Sequence, residues 1–133
     1  MVALTQDRGT PERSKKDFSD PVDGAVKIFA GAIVMLNAAG DARPGETALN
    51  LKPRGVAKEQ VDNTAGAAGD KTIQTMKGTH RFTNDGTITR ADISGTAYVV
   101  DDQTVADTNG AGTRSALGEI VDVDSVGVWV EIV

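Results

Sequence analysis

The sequence predicts a mainly β protein: a small β-sandwich or β-barrel of short strands, with long Gly/Asp/Asn loops and an extended N-terminal arm. From residue 26 onward, short runs rich in valine, isoleucine and threonine follow one another, separated by glycine, asparagine and aspartate. Many short strands with frequent turn signals are typical of sandwiches and barrels. No amphipathic helix, coiled-coil heptad or internal repeat is visible. The length of 133 residues suits a single domain.

Residues 1–23 are predicted to form the arm, and residues 24–133 the β-rich domain. The arm contains two prolines, nine charged residues and almost no apolar periodicity, so it buries little surface by itself. We expect either a solvated tail or a segment that orders on another molecule, with residues 1–20 ordering only on assembly. Phe18 is a candidate anchor, and the arm's basic side chains are the other candidate contacts: Arg8, Arg13, Lys15 and Lys16.

Eight strands are predicted within the domain. In chain order they are "AVKIF" (25–29), "AIVML" (32–36), "RGVAK" (54–58), "KTIQTM" (71–76), "THRFT" (79–83), "AYVV" (97–100), "LGEIVDV" (117–123) and "VGVWVEIV" (126–133). Two-residue alternation puts Ile73 on an inward face, and places His80 and Phe82 together on one face with Arg81 on the other. The last strand has apolar residues at 126, 128, 130 and 132, and Trp129 lies on its opposite face.

Trp129 is the only tryptophan. A single tryptophan on an apolar strand is expected in the core, because burying it removes a large area from water. The alternative is an anchor at a subunit interface, where tryptophan is enriched. Trp129 is therefore a candidate interface residue beside those of the arm.

The charge distribution is uneven along the chain. Fourteen lysine and arginine residues against nineteen acidic residues give a formal charge of −5, which argues against direct nucleic-acid binding. From residue 98 to the end there are seven acids and one base, whereas residues 8–16 are basic. Opposite charges at the two ends favour head-to-tail contact between neighbours.

No membrane partner is expected. The longest apolar run, residues 28–40, is too short to span a bilayer, and it lacks the position and flanks of a signal peptide. We expect a soluble protein made in the cytoplasm of its host.

The stretch "YVVDDQTVADTNGAGTRSALGEI" (98–120) gathers acids and glycines that suggest a metal site. An EF-hand register with Gly110 at position six puts valine at position one and alanine at position twelve, and neither supplies a ligand. Asp101 and Asp102 are adjacent, so on a strand they point to opposite faces and do not converge as an acid–base pair. The pattern favours a strand end followed by an exposed acidic turn.

No other motif indicates catalysis or a cofactor. The chain has no cysteine and one histidine, His80, which we interpret as structural or interfacial. The serines lack a nucleophile-elbow context, and the glycine-rich "AGAAGDKT" (65–72) fits neither a dinucleotide loop nor a P-loop. The sequence therefore predicts no enzyme activity, catalytic residue, metal site or cofactor.

Three stretches resemble the capsid cement, or head decoration, proteins of tailed bacteriophages, in the same order and spacing. They are "GVAKEQVDNTAGAAGDKTI" (55–73), "YVVDDQTV" (98–105) and "GEIVDVDSVGVWVEI" (118–132). The resemblance covers roughly residue 29 to the C-terminus and leaves out the segment before residue 26. It implies a structural protein that binds the outside of the icosahedral shell, bridges neighbouring major capsid protein subunits and stabilises the expanded, DNA-filled head.

The resemblance also implies a virion location on the outer capsid surface, and a homotrimer, with a dimer as the alternative. Two other functions remain open. A surface- or carbohydrate-binding β module of a phage particle would need exposed aromatics, and the chain has only five aromatic residues. A small hydrolase would have to use His80 with an aspartate, and no motif supports it.

Overall fold

The computed structural model describes residues 2–133 and shows a mainly β protein, as predicted. Twelve strands are present in this range: β1 (Asp17–Pro21), β2 (Lys27–Ile28), β3 (Ile33–Leu36), β4 (Ala42–Pro44), β5 (Lys52–Ala57), β6 (Val61–Asp62), β7 (Thr72–Met76), β8 (Gly78–Asn84), β9 (Thr96–Val99), β10 (Thr104–Ala106), β11 (Ala116–Val123) and β12 (Val128–Ile132). The described helical content is a single 3₁₀ turn, Arg90–Asp92.

Two sheets make up the body of the molecule. The strands β1-β7-β5-β3-β4 form a five-stranded open sheet, which we refer to as the sheet. The strands β10-β8-β12-β11-β9 close into a five-stranded barrel. The remaining strands, β2 and β6, form a short ribbon. A parallel bridge between Val22 and Ala42 joins the two ends of the sheet, since Val22 follows β1 and Ala42 begins β4.

The two sheets enclose two hydrophobic cores that share strand β3. The barrel core contains Ile33 and Met35 together with ten buried residues from the barrel strands and their connections. The sheet core contains Val34, which points to the other face of β3, and seven more buried residues. Strand β3 is apolar on both faces because it separates these cores.

The eight strands predicted from the sequence are confirmed, with ends that differ by a few residues. Four short strands were missed: β1, β4, β6 and β10. In particular, β10 lies inside the stretch 98–120, so the segment read as one acidic turn consists of a turn, a strand and a longer loop.

The predicted boundary of the arm at residue 23 differs from the structure. Residues 17–21 pair with β7 as an edge strand, and Val22 is fully buried in the sheet core. The exposed arm therefore ends at Lys16, whose carbonyl accepts a hydrogen bond from the Lys77 N–H at 2.8 Å. Residues 1–20 were expected to order only on assembly. For residues 17–20 this expectation is wrong in this structure, because they pair with β7. Residue 1 lies outside the described range.

Candidate docking surface along strands β8 and β12

Pairing of β8 with β12 places a row of side chains on the outside of the barrel. Arg81 lies opposite Trp129, and Thr79 lies opposite Glu131. The alternate residues of the two strands, among them Phe82 and Val130, are buried in the barrel core. We call the outward row, Thr79, Arg81, Trp129 and Glu131, together with the basic residues at the Gly78 end of β8, the docking surface.

Trp129 is half-buried on this outer face and does not belong to either core. The expectation that it is a core residue is wrong, because strand alternation turns it away from the buried Val128 and Val130. Its indole N–H donates to Asp124 Oδ2 at 3.0 Å, and the Arg81 guanidinium lies 5.7 Å from the ring centroid. The indole is thus held in place at the surface by polar partners.

Asp124 receives three hydrogen bonds around this tryptophan. The bond from Trp129, followed by those from the backbone N–H groups of Val126 and Gly127, holds the pKa of the Asp124 carboxyl below its usual value. These bonds also form the β11–β12 turn, so the turn and the indole fix one another. Val126, predicted to lie on the same strand face as Val128 and Val130, instead lies in this turn and is 65% exposed.

Phe18 lies at the other end of the docking surface, on the edge strand β1. Three cationic groups surround its half-buried ring: the guanidinium of Arg54 at 3.5 Å from the centroid, the Lys77 ammonium at 5.6 Å and the Arg13 guanidinium at 6.0 Å. Cations over an aromatic face are attracted by its quadrupole. Arg54 is further fixed by two hydrogen bonds to the buried carboxylate of Asp20, at 2.7 and 3.0 Å.

An open groove of about 310 Å³ continues from Phe18 toward the barrel, lined by Ser14, Lys15, Lys16, Lys77, Gly78, Glu131, Ile132 and Val133. Burial lowers the pKa of Lys77, and the nearby charges of Lys15 and Arg54 lower it further. Within residues 2–133, none of the three groove lysines is in an ion pair. With Glu131 as the one acidic side chain in its lining, the groove's three lysines leave it with net positive side-chain charge, although the protein as a whole is acidic.

The arm, residues 2–16, extends from this groove with every side chain exposed. Its internal hydrogen bonds are local: the Thr10 N–H donates to the Arg8 carbonyl, and the Lys16 N–H donates to Ser14 Oγ, both at 3.1 Å. Val2 and Leu4 are 88% and 72% exposed. Of the candidate interface residues, Arg13, Lys15, Lys16 and Phe18 meet at the arm's root, whereas Arg8 lies out along the arm.

Sequence reasoning missed three members of this surface: Arg54, Lys77 and Asp124. Only the outward position of Arg81 had a local signal, in the alternation of "THRFT". Asp124 lies in the β11–β12 turn, five residues before Trp129, whereas Arg54 and Lys77 depend on pairing between distant strands, since β1 meets β7 across more than fifty residues of chain. No pattern within a short window shows that.

The candidate catalytic groups do not come together. The His80 ring packs against Phe82 with centroids 6.4 Å apart, and its buried Nε2 has no hydrogen-bond partner among the described residues. Asp101 lies in the β9–β10 turn, where Oδ1 accepts the Gln103 N–H at 2.9 Å, as expected of a turn aspartate. Across residues 2–133, no three histidine, aspartate or glutamate side chains gather in a group that could hold a metal ion.

The loop after β10 has an unusual backbone. Gly110, Ala111 and Gly112 all have positive φ, at 63°, 58° and 82°, and the Asn109 carbonyl accepts hydrogen bonds from the N–H groups of Thr113 and Arg114. This is one turn of left-handed helix, a conformation that glycine tolerates and that costs an alanine energy. Asp101, Gly110 and Gly112 of the stretch 98–120 thus serve turn formation.

Comparison with protein-family models, curated proteins and solved structures found no match to this chain. The resemblance to capsid cement proteins therefore stays a prediction. In the described part of the chain, no helix has the length and apolar character needed to cross a membrane.

Proposed function

We propose that this protein binds the outside of a bacteriophage icosahedral capsid and bridges neighbouring major capsid protein subunits, stabilising the expanded, DNA-filled head. The observation that best supports this is the exposed arm joined without a break to the docking surface. An extended basic segment anchored to a compact β body is suited to reaching across a boundary between two subunits. The resemblance in three ordered stretches supplies the class of partner, and the proposed location is the outer surface of the virion.

The proposed mechanism is preferential binding to one state of the shell. Anything that binds the expanded state and not its competitors stabilises that state by mass action. A homotrimer presents three arms and three docking surfaces, so simultaneous contacts on a symmetric lattice raise the overall affinity well above that of one contact. No backbone hydrogen bond joins residues 2–15 to the body, and Arg13 approaches it at the Phe18 ring, so the part of the arm before Arg13 is available for a neighbour.

One observation favours the alternative of a carbohydrate-binding β module. Phe29 is 52% exposed, with the Lys27 ammonium 4.9 Å from its ring centroid. Trp129 gives this alternative little support, since its N–H is already bonded to Asp124 and Arg81 lies beside its ring. Binding to a glycan array that is lost in Phe29→Ala, with capsid binding absent, would favour this second function.

The experiment is co-sedimentation with purified expanded and unexpanded shells that lack the protein, followed by cryo-electron microscopy of the loaded shells. We expect saturable binding to expanded shells and added density at the boundaries between capsomers. Binding to both kinds of shell equally, or no added density, would contradict the proposal.

Two variants locate the contact, and a third serves as a control. The double change Arg8→Glu and Arg13→Glu reverses charge on the arm and is expected to weaken binding to shells. Lys52→Glu makes the same kind of change at an exposed residue outside the arm and the groove, and is expected to bind normally. Trp129→Ala tests the other end of the surface, with circular dichroism as the check that the barrel still folds.

A further inference from the structure

Asn109 is an exposed asparagine that is followed directly by a glycine. The chain has five asparagines, and only Asn109 precedes a glycine. All five lie in the described range, where Asn50 is the only other exposed one, and Leu51 follows it. The pair Asn109–Gly110 lies in the loop after β10, outside the docking surface and both cores. An asparagine in this setting can react with the backbone of the next residue, because glycine places no side chain in the way of ring closure.

The backbone nitrogen of Gly110 is weakly held. Its N–H donates to Thr108 Oγ1 at 3.4 Å, which is longer than a usual N–H···O bond. It also lies outside the strands of the described chain. The Gly110 nitrogen can therefore lose its proton to water more readily than an N–H that is bonded within a sheet.

The side-chain amide of Asn109 is polarised toward attack by that nitrogen. Its Oδ1 accepts a hydrogen bond from the Gly112 N–H at 3.2 Å. A donor on this oxygen stabilises the negative charge that develops there when a nucleophile adds to the Cγ carbon. The other end of the amide, Nδ2, donates no hydrogen bond within residues 2–133, so nothing in the fold holds the leaving group.

A positive charge lies beside the reacting bond. The Nε atom of Arg114 is 3.1 Å from the point where a Cβ of Gly110 would lie. This Nε is buried and has no hydrogen-bond partner among the described residues, whereas Nη1 of the same side chain donates to the Thr108 carbonyl at 3.2 Å. A nearby positive charge favours the ionised form of an acidic group, which here is the Gly110 nitrogen.

We infer that Asn109 is a site of spontaneous deamidation in the folded protein. The Gly110 nitrogen gives its proton to water and bonds to Asn109 Cγ, and the Cγ–Nδ2 bond breaks with release of ammonia. The product is a succinimide ring. Water then opens one of the two C–N bonds of the ring, which gives aspartate or, where the chain continues through the side-chain carbonyl, isoaspartate. The net change is the loss of ammonia, the gain of water and one new negative charge.

The two products affect the loop differently. Aspartate keeps an oxygen that can accept the Gly112 N–H, and its charge lies close to Arg114. Isoaspartate adds one methylene to the main chain and so moves the Asn109 carbonyl, which accepts the N–H groups of Thr113 and Arg114 at 2.9 and 3.0 Å. Isoaspartate should therefore open the left-handed turn.

The test is incubation of the isolated protein at mildly alkaline pH, followed by peptide mass spectrometry with the aspartate and isoaspartate products separated by chromatography. Asn109→Asp supplies the aspartate standard. We expect conversion at position 109 to both products, and none at Asn50 over the same time. The chain unfolded in urea is the reference for the chemistry. An Asn109 that stays intact in the folded protein while it converts in urea, or equal conversion at Asn50, would overturn the inference.

Two changes at Arg114 test the role of its charge. Arg114→Gln should slow the conversion of Asn109 by about threefold or more, because the positive charge beside the Gly110 nitrogen is lost. Arg114→Lys keeps a positive charge and should keep most of the rate, and circular dichroism checks that both variants fold. Equal rates in the two variants, or a faster rate in Arg114→Gln, would show that the charge does not assist. Neither measurement involves shells, so the outcome is independent of capsid binding.

Discussion

The barrel core is built from large side chains, with one alanine among its twelve buried members, whereas three of the eight members of the sheet core are alanines. The sheet region compensates with polar contacts: Arg54 with Asp20, Arg43 with Asp23, and the buried amide of Asn63. The barrel strands instead close on one another, so no strand edge is left open. The barrel thus depends mainly on shape and packing, and the sheet region on individual polar groups.

The largest expected effect tests the dependence of the barrel on shape. A Cβ at Gly118 would lie 2.0 Å from the Glu131 carbonyl oxygen of the paired strand β12, and backbone cannot move aside as a side chain can. We expect Gly118→Ala to cost about 4 kcal/mol or more of unfolding free energy, or to prevent folding. Urea denaturation measures this. Gly9→Ala in the arm, where nothing lies within 4 Å of the new Cβ, should change nothing; equal stability of both variants would contradict the comparison.

The second prediction concerns the polar group most central to the sheet region. The Asn63 amide donates to the carbonyls of Val22, Asp23 and Ala67 at 3.4, 2.9 and 3.0 Å, which ties the segment after β1 to the loop that follows β6. Asn63→Ala leaves these acceptors without their donor and should cost about 2–4 kcal/mol.

Amide hydrogen exchange in Asn63→Ala tests whether the sheet region can open while the barrel stays folded. Protection should fall at the N–H groups of Ala25 and Gly66, which bond to the Asn63 carbonyl, and persist in β11 and β12. Asn109→Ala in the exposed loop is the matched control. Uniform loss of protection through both the barrel and the sheet would show that the two regions unfold as one unit.

The contrast between apolar packing and individual polar contacts also explains which strands could be predicted from the sequence. The eight predicted strands carry apolar residues in a local pattern, and all were found. Strand β1, "DFSDP", has an aspartate at its buried position, because Asp20 bonds to Arg54 thirty-four residues away. No local pattern contains that partner, so a strand stabilised by a distant ion pair reads as a polar tail.

The candidate surface was predictable to the same degree. The basic residues and Phe18 near the start, and Trp129 near the end, were visible as unusual residues in their surroundings. Their relation to one another was not, since it requires the pairing of β8 with β12 and of β1 with β7. Residue type could be read from the sequence, whereas the grouping depends on long-range strand register.

The third prediction uses pH to distinguish the regions. Burial by itself raises the pKa of the Asp23 carboxyl, but bonds from Arg43, the Gly24 N–H and Asn37 outweigh it, so the pKa lies below its usual value. A lowered carboxyl pKa adds stability above the unfolded value of about 3.9, and that stability is lost as pH falls through the folded pKa.

Asp23→Asn should therefore cost about 1–2 kcal/mol at neutral pH, and the difference from the unchanged protein should shrink below about pH 4. Unfolding by urea across this pH range measures both quantities. Asp122→Asn removes a carboxyl from the barrel pair Arg90–Asp122, whose side chains are 73% and 56% exposed, so it should have little effect at any pH. A constant deficit for Asp23→Asn at all pH values would show that its charge contributes nothing.

The smallest expected effect has the opposite sign. Thr75 on β7 is fully buried in the sheet region, and its hydroxyl has no hydrogen-bond partner among the described residues. A buried hydroxyl without a partner costs free energy, and valine has the same shape, so Thr75→Val should leave stability unchanged or raise it by up to about 1 kcal/mol. Thr72→Val at an exposed position of the same strand controls for β propensity. A loss of stability specific to Thr75→Val would contradict this prediction. It would mean that the Thr75 hydroxyl has a hydrogen-bond partner in solution, such as a buried water, and that the sheet region contains one more stabilising polar contact.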